Sequence, residues 1–419
     1  MTALLWLLAL LSAGLTYNVW RPSYRPGRRA VLSFFAGWLT DELALHHIAV
    51  QFVLALLLIG HGAAHHALGT IALGVLIVSW WGLWVAYWKG DRAGETVEYA
   101  LREALGADYR RHVRPEIRQA WEEGTDWKAI AIPFPIRHPE VERHRDILYR
   151  RVGGINLRLD VYRHRSRPEN CPVLLQIHGG GWVIGSKNEQ GLPLMMYMAA
   201  RGWVCVSVDY RLSPHATFPD HLVDVKAALV WVREHASEYG ADPNFVVVTG
   251  GSAGGHLAAL VALTANDPAY QPGFEQKDTR VQGAVTMYGV YDFVDRFRTF
   301  HNPDIHNLLE TKVMKASIEE APEAYEKASP IALVRPDAPP FMVVHGDHDT
   351  LVPVEQARHF VAALRAVSRN PVVYAEIPGA QHAFDIFPSL RCLHVIHGIG
   401  RFLGYVYSKH LEQRERGAA

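Results

Sequence analysis

A serine framed by glycines, Gly250-Gly251-Ser252-Ala253-Gly254-Gly255, is the arrangement in this chain best suited to chemistry. Before it runs Phe245-Val246-Val247-Val248, which reads as a strand buried on both faces. After it runs His256-Leu257-Ala258-Ala259-Leu260-Val261, which reads as a helix packed on that sheet. A strand that becomes a helix within about two residues brings two backbones very close, so Gly250 and Gly254 must lack side chains. The turn holds Ser252 in a strained conformation with its hydroxyl at the sheet's edge, above a helix N-terminus. The same residues could form an inert glycine-rich turn, so the rest of the chain must supply a base, an acid and a site for developing negative charge.

The apolar run 173–177 is followed by His178-Gly179-Gly180-Gly181-Trp182. Consecutive glycines after a strand turn their amides toward one point, as an oxyanion requires. The N–H groups of Gly180, Gly181 and Ala253 are the expected donors, with Gly179 shaping the loop and His178 orienting it. Downstream, Phe341-Met342-Val343-Val344-His345 leads into Gly346-Asp347-His348-Asp349-Thr350-Leu351-Val352-Pro353. Asp349 is the expected acid because it precedes the Thr-Leu-Val-Pro turn; Asp347 is the alternative. His382 follows the run 372–377 and is the expected base. The chain order Ser252, Asp349, His382 is that of a Ser–His–Asp hydrolytic triad on an α/β sheet.

Strands are expected at 147–149, 157–162, 173–177, 204–208, 245–249, 283–287, 341–345 and 372–377. Helices are expected at 192–200, 222–239, 255–265 and 354–368. An opening strand pair followed by β-α repeats predicts an α/β fold, a mostly parallel sheet with helices on both faces, over residues 141–412. The stretch 291–329 is longer than a simple crossover and reads as a cap over the acyl or alcohol pocket. No internal repeat or low-complexity tract is present.

Residues 173–384 resemble the α/β-hydrolases of the hormone-sensitive-lipase-like, His-Gly-Gly-Gly-bearing carboxylesterase group. The resemblance rests on His178-Gly179-Gly180-Gly181-Trp182, Val208-Asp209-Tyr210-Arg211-Leu212-Ser213-Pro214, Gly250 to Gly255, His345-Gly346-Asp347-His348-Asp349 and His382-Ala383-Phe384. It implies hydrolysis of carboxylic esters through an acyl-enzyme, with no metal or organic cofactor. The chain departs from the group at Gly251, where the commoner motif has Asp. Two alternatives share the fold: an acyltransferase that keeps water from the acyl-enzyme, and a non-catalytic membrane scaffold.

The first ninety residues differ from the rest. No Asp, Glu, Lys or Arg occurs in residues 1–20 or 43–88. The apolar runs 3–19, 43–59 and 68–87 are long enough to be membrane spans, and Trp80, Trp81, Trp84, Tyr87 and Trp88 form an interfacial aromatic belt. Residues 30–39 are apolar but too short to span, and suit a segment lying on the membrane surface. Arg21, Arg25, Arg28 and Arg29 lie between the first two runs, and Lys89 and Arg92 follow the third. The positive-inside rule therefore predicts a multi-pass chain with its catalytic domain in the cytoplasm. His46, His47, His61, His65 and His66 lack an accompanying carboxylate or cysteine and are expected to be interfacial rather than metal ligands. Residues 91–140 read as a helical connector that could contribute to a lid. Zero formal net charge argues against nucleic acid, and the expected partners are the bilayer and a lipophilic ester. Cys171, Cys205 and Cys392 are too few and too far apart for a disulfide framework.

Overall fold

The computed structural model describes residues 1–25, 27–119, 121, 124–300 and 303–418. Eight strands form one sheet: β1 Val141–Val152, β2 Ile155–His164, β3 Cys171–Ile177, β4 Val204–Val208, β5 Ala241–Gly251, β6 Gly283–Met287, β7 Phe341–Gly346 and β8 Val372–Ile377. Their spatial order is β1-β2-β4-β3-β5-β6-β7-β8. β1 pairs antiparallel with β2, and β2 with β4; every other pairing is parallel. All residues of β3, β4, β6 and β7 are buried, which is why these segments read as continuous apolar runs without alternation. The chain passes from β3 outward to β4, then crosses back to β5 on β3's other side. The loops after β3 and β5 therefore leave the same sheet end side by side in space, where open α/β sheets bind their ligands.

Counting helices of at least eight residues, α1 is Thr2–Trp20, α2 Arg28–Glu42, α3 Ala44–Gly60, α4 Ala67–Lys89 and α5 Arg92–Leu105. They are followed by α6 Leu192–Ala199, α7 Asp220–His235, α8 Ala253–Leu263, α9 Glu355–Val367 and α10 Leu390–Ala418. α7, α8 and α9 cover one face of the sheet through Leu222, Leu257 and Phe360. α5, α6 and α10 cover the other through Val97, Met195 and Phe402. The four catalytic-domain helices expected from sequence are therefore present with small shifts at their ends, and 91–140 contributes a helix packed into the second core.

The apolar N-terminal helices join that second core. Val19, Phe34, Ala44, Leu83 and Tyr87 are buried in the same cluster as Val344, Ile377 and Phe384 of the catalytic domain. α1 and α4 run parallel: Thr2 Oγ1 donates to the Ala63 carbonyl over 3.0 Å at one end, and Trp20 Nε1 to that of Gly82 over 3.2 Å at the other. α3 returns beside them, where Gln51 Oε1 accepts from Ser12 Oγ at 2.7 Å and Trp80 Nε1 at 2.9 Å. Two helical stretches, Thr2–Trp20 and Ala67–Leu105, are long and apolar enough to cross a membrane; α2 and α3 qualify only together, across an 86° bend. One expectation changes here. Residues 30–39 do not simply lie on the lipid surface: in α2, Ala30, Ser33, Phe34 and Gly37 are buried against the protein. The reason is a set of complementary side chains far away in sequence, described below.

Candidate active site

Ser252 is the turn residue between β5 and α8, with φ 58° and ψ −125°, a conformation that costs an L-residue free energy and must be imposed by its surroundings. The imposition is steric. A Cβ on Gly250 would lie 2.5 Å from the Gly254 carbonyl carbon, and one on Gly254 would lie 2.2 Å from the Ile177 carbonyl oxygen. Ser252 N–H is tied to the Met287 carbonyl at 2.9 Å, fixing the turn to the end of β6.

The loop after β3 passes directly over the serine. A Cβ on Gly179 would be 2.7 Å from the Gly251 carbonyl oxygen and 3.0 Å from Ser252 Cβ, so only glycine fits. Gly180 and Gly181 have φ of 103° and 58°. Among the described residues their amides donate to no protein acceptor, and neither does that of Ala253 at the first position of α8. His178 is buried, stacked on Tyr210 with ring centroids 4.3 Å apart, and its Nδ1 lies 2.7 Å from the Gly179 carbonyl oxygen. Burial pushes its pKa down to about 4. It is a neutral brace for the loop, and the imidazole that could act as base is another one.

That imidazole is His382, whose Nδ1 lies 2.6 Å from Asp349 Oδ2. Asp349 Oδ1 accepts from the amides of Leu351 at 2.9 Å and Val352 at 2.8 Å, and His345 Nε2 lies 3.2 Å from Oδ2. Burial alone would raise this carboxyl, but His382 and His345 override it and hold it well below the ordinary carboxylate range. Asp347 points elsewhere; its Oδ1 accepts from the Gly379 amide at 2.6 Å. Of the two carboxylates open from sequence, the structure brings only Asp349 to the imidazole.

Among the described residues no hydrogen bond joins the Ser252 hydroxyl to His382. Tyr288 stands beside His382 and beside Gly251, the neighbour of Ser252. The Tyr288 ring lies 4.6 Å from that of His382, its hydroxyl fills the space beside Gly251, and it donates to buried Asp385. Tyr288 itself is held at φ 38°. Gln381 completes the frame, its Oε1 accepting from the amides of Thr350 at 2.8 Å and His382 at 2.9 Å and so joining the acid loop to the base loop.

These supporting residues escaped the sequence reading. Tyr288 offered a signal, standing immediately after a strand at the sheet's active end; Gln381 and Asp385 adjoin the expected base. Phe34 offered none: it lies in α2, yet its ring stands 5.9 Å from that of His382, nearly perpendicular at 76°. The stretch expected to be a cap forms short helices between β6 and β7, Pro303–Leu308, Leu309–Met314 and Pro322–Lys327. It reaches the site through Leu308, whose Cδ2 is 3.4 Å from the Cβ position of Gly181.

Comparison with known proteins decides the class. A probable carboxylic ester hydrolase of Mycobacterium tuberculosis, LipM, is 42% identical over 98% of this chain and 95% of its own length. The chain belongs to the carboxylic ester hydrolases. The esterase LipQ of the same organism is 38% identical over 94% of this chain and 89% of its own. The BD-FAE family model matches residues 159–364, from β2 into α9. A solved structure of Thermogutta terrifontis esterase 2, phosphonylated by sarin, is similar at 28% identity with a TM-score of 0.51, covering 60% of this chain and 89% of that one. The match to LipM includes the N-terminal helices of this esterase as well as its catalytic sheet.

Proposed function

We propose that this esterase is a membrane-anchored serine hydrolase of lipophilic carboxylic esters, acting through Ser252, His382 and Asp349. The observation that carries the reading is the 2.6 Å contact between His382 Nδ1 and Asp349 Oδ2, which leaves Nε2 as the nitrogen available to a nucleophile. His382 Nε2 takes the Ser252 proton as Oγ bonds to the ester carbonyl carbon. The carbonyl oxygen becomes an oxyanion, received by the amides of Gly180, Gly181 and Ala253. The carbon–oxygen bond to the alcohol then breaks, and the imidazolium returns its proton to the leaving oxygen. Water, deprotonated by the same imidazole, attacks the acyl-enzyme and releases the acid and free Ser252. Asp349 stabilises the imidazolium and fixes its tautomer throughout.

The anchor is residues 1–90, with α1, α3 and α4 as three spans, followed by the helical connector 91–140 and the catalytic domain 141–412. The parallel α1 and α4 with α3 antiparallel beside them support this path, since it puts Trp20, Leu43 and Lys89 at the end nearer the catalytic domain. The basic residues at that end support a cytoplasmic catalytic domain through the positive-inside rule. The test is labelling of the detergent-solubilised full chain with a fluorophosphonate. Ser252→Ala is expected to abolish labelling and to lower ester turnover by about ten-thousandfold. Labelling that persists in Ser252→Ala would overturn the assignment.

A further inference from the structure

α2 belongs to the membrane-proximal region by sequence, yet it is fastened to both loops that carry the acid and the base. Thr350 Oγ1, next to Asp349, donates to the Ala30 carbonyl at 3.2 Å, and just before α2 begins Tyr24 Oη donates to the carbonyl of Asp347 at 3.2 Å. Gly37 faces Gln381, whose Nε2 is 3.7 Å from the Cβ position, and lets the helix close on Asn18 of α1, whose Nδ2 is 3.0 Å from it. At one end Ser33 Oγ donates to Asn18 Oδ1 of α1 over 2.7 Å. At the other, buried Arg391 pairs with Asp41 at 2.8 Å and with Glu42. A helix held at so many points presents its side chains to the site in a fixed geometry.

Phe34 is the side chain so presented. It is only 7% exposed. Behind it, stacked rings lead away from the site: Trp38 lies 5.4 Å from Phe34 at an interplanar angle of 7°, and Phe387 lies 5.0 Å from Trp38 at 21°. Phe134 closes on Phe387 edge-on at 5.3 Å. Two aromatic rings thus flank the imidazole, and they differ in role. Tyr288 is locked by Asp385 within the frame beneath the serine, whereas Phe34 opens onto an apolar aromatic row.

The chemistry gives that position a meaning. In acylation the imidazolium protonates the departing alkoxide, so the alcohol oxygen must sit within hydrogen-bond reach of Nε2. Whatever that oxygen carries then lies against the group covering the imidazole. We infer that Phe34, supplied by the membrane-proximal helix, is the specificity-determining wall for the alcohol portion of the substrate, and that this portion is apolar, an aryl, arylalkyl or alkyl group. The inference rests on the triad proposed above.

The test uses the full chain in detergent and two ester series. One fixes the acyl group and varies the alcohol, from methyl through butyl to benzyl acetate. The other fixes p-nitrophenol and varies the acyl chain from acetyl to decanoyl. The unaltered protein is expected to favour benzyl over methyl acetate in kcat/KM. Phe34→Ala is expected to reduce that preference about tenfold, Phe34→Leu less, while the acyl-chain preference stays within about twofold. A purely structural role would lower both series alike, and that result, or an unchanged alcohol preference, would overturn the inference. Phe34→Leu, close in volume, keeps the test open if Phe34→Ala does not fold. Fluorophosphonate labelling of each variant separates the two failures: loss of Ser252-dependent labelling in the unaltered protein sinks the triad, whereas intact labelling with an unchanged alcohol preference sinks only the role of Phe34.

Discussion

A Cβ placed on Gly251 would lie 2.4 Å from the hydroxyl of Tyr288. The position where related esterases commonly carry Asp is here occupied from the other side, by a tyrosine bonded to Asp385. Gly251→Ala is therefore expected to displace Tyr288, and with it the ring that packs on His382. A shift of about 1 Å in such a constellation costs on the order of a hundredfold in rate, so kcat should fall by that much with a smaller change in KM. Gly251→Asp should fare no better, since it adds a carboxylate beside Asp385. Steady-state kinetics of Gly251→Ala decide it; a rate equal to the unaltered protein's means that Tyr288 is not a fixed part of the frame.

The two aspartates of the β7 loop should separate cleanly. Asp349→Asn keeps the shape but loses the charge that stabilises the imidazolium, and kcat should fall about ten-thousandfold. Asp347→Asn weakens a loop hydrogen bond to Gly379, and should cost about 1–2 kcal/mol of stability with kcat close to normal. Equal losses of kcat in the two variants would contradict the geometry.

Acid should destabilise the fold through three buried histidines that take no part in the proposed proton transfers. Burial pushes the pKa of His178 and His221 from 6.5 to about 4 and that of His256 to about 3. Folding keeps these rings neutral while the unfolded chain takes up protons below its own pKa. Their stabilisation is thus complete above pH 6.5 and is lost as pH falls from there toward the folded values, with a limiting slope of about 1.4 kcal/mol per pH unit for each ring. Thermal melts between pH 7.5 and about 4.5 should show a falling Tm. His256→Gln, though less stable at neutral pH, should lose less Tm over that range. Parallel curves would remove His256 from the account.

The fastening of α2 predicts an asymmetry between single and compensated variants. Arg391→Met strands the carboxylates of Asp41 and Glu42 in a buried site, at a cost of about 3–5 kcal/mol. Adding Asp41→Asn and Glu42→Gln to Arg391→Met should restore much of the Tm, since the buried charge is then gone. A triple variant no more stable than Arg391→Met would show that shape, not charge, seats this end of the helix.

The linear order of residues was sufficient for the strands of the central sheet and for a short set of positions at which to look for chemistry. Buried parallel strands must be apolar throughout, and a strand-to-helix turn this tight must be glycine on both sides of Ser252. These are local demands, and local demands are visible one residue at a time. The turn after Asp349 already favoured it over Asp347, but two carboxylates two residues apart obey nearly the same local rules, so Asp347 stayed open. What separates them is which one meets an imidazole thirty-odd positions later. Still less visible was Phe34, or the answer Tyr288 makes to Gly251. Their significance comes from packing between segments distant along the chain, and no periodicity or motif encodes which apolar side chain a folded sheet will bring against its reactive edge.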